Sequence, residues 1–498
     1  MNITFTNATP FLQKLTNFSA TTYQTGYHYI SRYIYPYLYK NITLPRVSPD
    51  YYTNQTIDPT TILPSIPNKE TVVVGLWEIG ASVHPNYYAL ALIFACLSIF
   101  VYIKIRYPFW NTQPVLHTYD YWRKIGLSTP GIIQKYPHKT RFYDTTKQIQ
   151  TREYSKIPPE EIKQIAIFLN ANYIPTDKLL STITEKTLAN YCNGHNAPTY
   201  ISIHRELDKT ITGLCISRLS NLYLYNTIVN TDPNTLVEID GYKDKDNKPN
   251  KIETYLLDFV AIKRKAETRT AEKLFQTHEY NIRVLNTNIH TSIFKKEGEL
   301  CECVVPFMEY TNRTFYMRNM NVNPLPPDFI ISRVAKENVD TLHDIYHLLT
   351  NPDPEMKKMM GGCILPELGH IQNLLVSRQL YLFCLKKGGY IYGVYFFRDM
   401  NIHYEVVDGK TLELVASFQN TTINDVFMVG FAHSLRQILR ENPDIKILNI
   451  PDIGHNATIL GKWLEYNHTI LETPCALYLY NYWLSNMPIE KSKMFVLS

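Results

Sequence analysis

Two groups of side chains in this chain have a spacing that could do chemistry. His343-Asp344-Ile345-Tyr346-His347 puts two imidazoles four residues apart on one helix face, the spacing with which H-E-x-x-H proteases grip zinc. The acid between them is Asp, not the Glu such a protease uses as base, and no third ligand is evident. Val339, Leu342, Tyr346 and Leu349 make an apolar stripe that explains the helix without metal. The second group, Lys263-Arg264-Lys265 with Arg269, precedes a helical pattern from Thr270 to Val284. Cations beside the free N–H groups of a helix start can collect phosphate, although the same run also reads as a solvated basic turn. The eight cysteines form no CxxC pair, so neither a disulfide framework nor a zinc cluster is expected, and no metal is assigned. G-x-x-x-x-G-K-[ST], G-x-G-x-x-G and G-x-S-x-G are all missing, which removes the usual support for nucleotide hydrolysis and α/β-hydrolase chemistry.

Elements must hold any such groups in place. A length of 498 residues suggests two to four domains, and 45% hydrophobic with 19% charged residues describes a chain that mostly folds. A net charge of +5 is too dilute to imply nucleic acid as a partner. The bias toward Tyr, Asn, Ile and Lys fits AT-rich coding, as in a large DNA virus, and bears on source more than on function. Tyr87 to Ile103 contains no charge and is followed by Lys104 and Arg106, so residues 87–105 are expected to cross a membrane once. The positive-inside rule then places everything after Arg106 in the cytosol and residues 1–86 outside or in a lumen. That Thr-, Asn- and Tyr-rich tail lacks a signal-peptide pattern, and its sequons at Asn2, Asn7, Asn17, Asn41 and Asn54 suit such a location. The Asn323-Pro324-Leu325-Pro326-Pro327 connector splits the remainder into 106–322 and 323–498. Both parts alternate helical and strand patterns. Helices are expected at 160–169, 270–284, 339–349 and 423–440, and strands at 200–217, 254–262, 379–397, 445–450 and 477–482.

The most specific string follows the apolar span: Tyr107-Pro108-Phe109-Trp110-Asn111-Thr112-Gln113-Pro114-Val115. It resembles the Y-x-F-W-x-T-Q-P-V signature of the N-myristoyltransferase family. Further similar segments follow in order: Asn172-Tyr173-Ile174 (N-Y-V), Ile211 to Ser217 (L-V-G-F-I-S), Asp258 to Lys265 (N-F-L-C-V-H-K-K) and Ser417-Phe418 with Asn420 (S-F-Y-N). Asn449-Ile450-Pro451-Asp452 with Asn456 resembles N-A-L-D and a later Asn, and Tyr478 to Asn481 is Y-L-Y-N. The likeness spans nearly all of 107–498 and implies an α/β fold of two fused acetyltransferase-like (GNAT) domains, acyl-CoA bound by the first and peptide by the second.

What the resemblance implies about chemistry can be written residue by residue. Tyr107, Phe109, Trp110, Thr112 and Gln113 would lie along acyl-CoA, myristoyl-CoA first among candidates, as co-substrate and not as a resident cofactor. Lys263, Arg264, Lys265 and Arg269 would meet its phosphates. Main-chain N–H groups of Phe259 and Val260 would form the oxyanion hole, and Asp258, where the family has Asn, would lie beside the attacking amine and orient or deprotonate it. The family's base is its C-terminal carboxylate, here that of Ser498. Such a group starts near a pKa of roughly 3.3–3.7 against roughly 7.7–8.0 for an α-amine, and burial would raise it. Glu472, Asp452, Asn449 and Tyr173 would face the acceptor, a peptide or protein beginning with glycine.

Departures from the pattern set the rivals. The acidic run after N-Y-V is replaced by Pro175-Thr176-Asp177-Lys178, Glu267 stands where a cation is usual, and Y-T-A-G and Y-W-H-R have no clear counterpart between Thr291 and Arg318. The first reading is a membrane-anchored acyltransferase acting on N-terminal glycine. The others are a related transferase of a different acyl group or acceptor, and an inactive structural protein that keeps the fold.

Overall fold

The structure is a computed structural model, and it describes residues 85–124, 129–173, 179–225, 250–264, 266, 269–317, 322–335, 338–420 and 423–497. The tail with its five sequons, the Pro175–Lys178 segment, Lys265, Glu267 and Ser498 lie outside them. Helix α1, Pro85–Arg106, contains the expected apolar span. Residues 89–106 are long and apolar enough to cross a membrane, and none of that stretch is buried. A core helix of the same composition would be covered.

Seventeen strands follow in the described residues: β1 (Gly131–Ile132), β2 (Ile149–Glu153), β3 (Leu179–Ser181), β4 (Tyr200–Arg205), β5 (Ile211–Leu224), β6 (Asn250–Ile262), β7 (Thr291–Glu297), β8 (Met308–Tyr316), β9 (Phe329–Val334), β10 (Gly362–Leu365), β11 (Leu380–Lys387), β12 (Tyr390–Tyr404), β13 (Gly409–Gln419), β14 (Ile445–Pro451), β15 (Thr469–Tyr480), β16 (Tyr482–Trp483) and β17 (Met494–Val496). The helices used below are α2 (Pro159–Asn172), α3 (Glu185–Cys192), α4 (Thr270–Leu285), α5 (Val339–Thr350), α6 (Pro354–Met359), α7 (Leu368–Val376), α8 (Asn424–Glu441) and α9 (Asn456–Trp463). Each helix and strand expected from the sequence is present, within a few residues at its ends except where a strand runs longer.

Fifteen of the strands form one sheet whose main path is β17-β10-β5-β6-β7-β15-β8-β14-β13-β12-β11-β9. It runs without a break across the Pro connector. Within it a unit occurs twice. Antiparallel β4, β5 and β6 lead through α4 into β7, which is parallel to β6; antiparallel β11, β12 and β13 lead through α8 into β14, parallel to β13. Each unit's next strand pairs with the other unit, β8 with β14 and β15 with β7, and β8 and β15 meet antiparallel at the centre. The two halves therefore share one sheet through exchanged strands.

Burial explains the sequence pattern. β5 is buried at every residue after Ile211, because helices cover both its faces and a two-sided strand needs no polar alternation. Leu214 and Ile216 pack with Ile165, Leu169 and Leu188 of α2 and α3, while Cys215 packs with Leu274 of α4 and Phe294. In the second half Val394 and Phe396 face Leu342, Ile345 and Ile371 of α5 and α7, and Tyr395 and Phe397 face Phe431 and Leu435 of α8.

Candidate active site

Parallel strands that pair only part-way leave a split in a sheet, and both repeated units do this. β6 and β7 pair from Thr254↔Thr291 to Leu257↔Phe294 and then part; β13 and β14 pair from Lys410↔Ile445 to Glu413↔Asn449 and part. At each parting point one extra residue sits on the first strand. Asp258 is skipped between Leu257↔Ser217 and Phe259↔Ile216, and Val415 is skipped between Leu414↔Phe397 and Ala416↔Phe396. Bulges of this kind bend a strand and aim a side chain out of its ladder.

The two splits differ in access. In the second, Val415, Ala416 and Ser417 are 5%, 3% and 2% exposed. Asn456 Nδ2 donates to the carbonyls of Leu414 and Val415, and Phe495 and Leu497 of the C-terminal segment share a core cluster with Val415 and Phe418. In the first split Val260 is 41% exposed, and Asp258 and Phe259 are partly so. From Asp258 onward β6 has no ladder partner on its β7 side among the described residues, so main-chain groups at Phe259 and Val260 edge an open crevice.

Charged side chains line that crevice. Arg218 on β5, 2% exposed at its side chain, donates from Nε to Asp258 Oδ2 at 2.8 Å. Its guanidinium lies 4.5 Å above the Tyr191 ring, and its Nη1 has no hydrogen-bond partner. Tyr173, just beyond α2, packs its ring on Phe259 with centroids 4.9 Å apart and donates its hydroxyl to the Asp258 carbonyl at 3.4 Å. Burial pushes the Asp258 carboxyl up to about 7, against the pull of Arg398 and Lys295. Arg398 of β12 is itself paired with Glu413 of β13 at 2.6 Å, and Lys295 of β7 with Glu297. Burial opposes ionisation of Glu413, yet Arg398 and Lys295 hold its carboxyl below the usual range. The crevice thus gathers charge from both halves of the sheet.

The sequence-derived residues fall into three groups. Asp258, Phe259, Val260 and Tyr173 come together at the crevice. Lys263, Arg264 and Arg269 are exposed on the turn before α4, where Arg269 occupies the N-cap position with φ 72°. Arg269 lies 3.9 Å from Glu272 in the first turn of that helix. The aromatic string is largely core: Phe109 meets Trp110, Phe142 and Phe275 edge-on, and Trp110 stacks on Phe294 at 5.5 Å, which stacks on Tyr478. Thr112 Oγ1 donates to the Phe109 carbonyl, Tyr107 donates to Glu302, and buried Gln113 accepts from Tyr480 at 2.8 Å.

The acceptor-side residues are engaged with the protein. Asp452 accepts from the Thr311 amide at 2.7 Å and from Lys491 at 2.6 Å, Glu472 pairs with Arg313 at 3.0 Å, and Asn449 is buried on β14. Lys265 and Ser498 lie outside the described residues. Leu497, the last described residue, is 3% exposed and donates its amide to Ile364 at 2.9 Å. Sequence reasoning missed Arg218, Lys295, Arg398 and Glu413. Arg218 had a legible signal, the one charge in an otherwise uncharged strand; the others meet only through strand order.

The overall fold, two units of sheet each split beyond a bulge, has counterparts among solved structures. Three crystal structures of N-myristoyltransferase from Saccharomyces cerevisiae share it. One, with bound myristoyl-CoA, superposes with a TM-score of 0.56 and 11% identity over 77% of this chain and 94% of that one. A second with bound myristoyl-CoA gives 0.54 and 11% over 77% and 88%, and a third, with myristoyl-CoA and inhibitors, 0.55 and 10% over 77% and 91%. No family model and no curated protein matches the sequence. The chain therefore has the N-myristoyltransferase fold in a strongly divergent sequence, and the resemblance read from its motifs is borne out at the level of fold.

Proposed function

We propose that the chain transfers a fatty acyl group from acyl-CoA to an amine, with the N-terminal glycine of a peptide or protein as acceptor. The observation that carries this is the open β6/β7 crevice, which ends at the bulge of Asp258 while its counterpart in the second half is filled. An acyl-CoA laid in the crevice would bring its thioester carbonyl to the main-chain groups of Phe259 and Val260, and its phosphates to Lys263, Arg264, Lys265 and Arg269 at the start of α4. On this reading the first half, 106–322, holds the acyl donor and the second, 323–498, holds the acceptor. The apolar helix α1 anchors the enzyme, with the catalytic part on the cytosolic side, as Lys104 and Arg106 after the span suggest.

The test is direct. Full-length protein in detergent is mixed with acyl-CoAs from two to eighteen carbons and Gly-starting peptides, and the products are read by mass spectrometry. A fatty acyl group on the glycine nitrogen is the expected result. A short acyl group, or a different amine, would correct the donor or the acceptor. Acyl-CoA left intact with every peptide would contradict the reading.

A further inference from the structure

We infer that the carboxylate of Asp258, positioned by the buried guanidinium of Arg218, takes the proton from the acceptor amine, in place of the terminal carboxylate of Ser498 that the resemblance implied. The inference deepens the acyl-transfer reading and rests on it.

Arg218 is the starting point. A guanidinium 2% exposed in the middle of a buried strand costs several kcal/mol unless an anion answers it, and Asp258 at 2.8 Å is that anion. A buried pair of this kind gives no more stability than two well-packed apolar residues would. Its position suggests another purpose, since it sits where β6 bulges and the sheet opens. Only one carboxylate oxygen is committed. Oδ2 accepts from Arg218, and no hydrogen bond to Oδ1 is made among the described residues, although the Asp258 side chain is 18% exposed. The arginine is fixed in turn by the Tyr191 ring beneath it. Asp258 is therefore a carboxylate with one oxygen held and one without a hydrogen bond, on a partly exposed side chain at the bulge where the crevice opens.

The groups facing it set its proton affinity. Arg218 comes from β5, Tyr173 from the end of α2, Lys295 and its partner Glu297 from β7, Arg398 from β12 and Glu413 behind Arg398 from β13. Burial raises the Asp258 carboxyl to about 7 against Arg398 and Lys295, close to the value of an α-amine and far better matched to it than an exposed carboxylate.

The step balances. Asp258 Oδ1 takes one proton from the acceptor ammonium, and the freed nitrogen lone pair attacks the thioester carbonyl carbon. The C–N bond forms and the C–S bond breaks. The sulfur leaves with the bonding pair and receives the second nitrogen proton, which gives free CoA thiol and the amide. Asp258 then returns its proton to solvent.

The experiment compares kcat/KM between about pH 5.5 and pH 9.5 for the full-length native protein, D258N, R218M and the double variant, with acyl-CoA affinity measured separately by calorimetry. Asn keeps the shape and cannot take a proton. The expected results are a loss of about 100-fold for D258N at neutral pH, with the acid limb of its profile gone, and a limb moved to higher pH for R218M, since removing a cation raises the carboxyl it faced. Acyl-CoA affinity stays within about twofold in both, and the double variant is no slower than D258N. If R218M has no cooperative thermal transition, D258N and the charge-free double variant decide the matter. D258N with a native rate and an intact limb would overturn the inference, as would a uniform loss in R218M at every pH. A native protein that acylates no amine overturns the parent reading as well, so the two failures are distinguishable.

Discussion

Asn481 shows how much of this architecture rests on single side chains. It is fully buried at φ 61°; its Oδ1 accepts from the Gln134 amide at 2.7 Å and its Nδ2 donates to the carbonyls of Gln134 and His290 at 2.9 Å each. Asn481→Ala would orphan three part-buried main-chain groups and put a Cβ with no local hydrogen bond into the left-handed region. We expect a loss of about 3 kcal/mol, with Asn481→Gly about 1 kcal/mol milder, measured by urea unfolding. Equal losses would show that backbone strain contributes nothing there. The same residue shows what was legible. Y-L-Y-N stands out as a motif, but its contacts are structural: the Tyr480 hydroxyl donates to Gln113 and the Asn481 amide to the Pro114 carbonyl at 2.6 Å, and together they fix the string that follows the apolar helix. Asp452 and Glu472 were legible as acids. Their engagement with Lys491 and Arg313 was not, because those partners come from elements far away in the sequence.

At the scale of elements, glycine separates two kinds of turn. A Cβ at Gly454, φ 52°, would lie 2.4 Å from the Met494 carbonyl, whereas one at Gly298, φ 77°, meets nothing within 4 Å. Gly298→Ala should cost only the left-handed penalty, about 1 kcal/mol. Gly454→Ala should cost about 2 kcal/mol or more and release β17, seen as faster hydrogen exchange at Phe495, Val496 and Leu497. Unchanged exchange there would mean that β17 does not depend on this close approach. Desolvated histidines make a second prediction. Burial pushes His278 and His195 to about 3, His195 with help from Arg218, and His455 to about 4. Each folded pKa is below the unfolded value of about 6.5, so their contribution to stability is whole above that pH and falls as the pH drops toward the folded values. His455→Gln should remove about one proton from the dependence, flattening stability against pH by about 1.4 kcal/mol per unit between about pH 6 and pH 4.5. A slope identical to the native one would contradict a neutral His455. Hydrophobic periodicity made the strands and helices themselves readable. Neither the bulges at Asp258 and Val415 nor the exchange of β8 and β15 could be read, since register and strand order arise from contacts far apart in the chain.

On the scale of the whole molecule, the chain joins an apolar helix to a sheet with one open crevice. Phe94 is 73% and Leu92 66% exposed on that helix. The protein should remain with membranes after alkaline extraction, and a double Leu92→Lys/Ile99→Lys change, at about 3 kcal/mol per charge near the span's centre, should release it. Release of the native chain would contradict the anchor. The central claim is that the β6/β7 crevice receives acyl-CoA, and calorimetric titration of myristoyl-CoA into the full-length protein in detergent tests it most directly. The account predicts saturable one-to-one binding, weakened about 10-fold or more when Lys263 and Arg269 are changed to Glu. No binding heat, or binding indifferent to those changes, would contradict it.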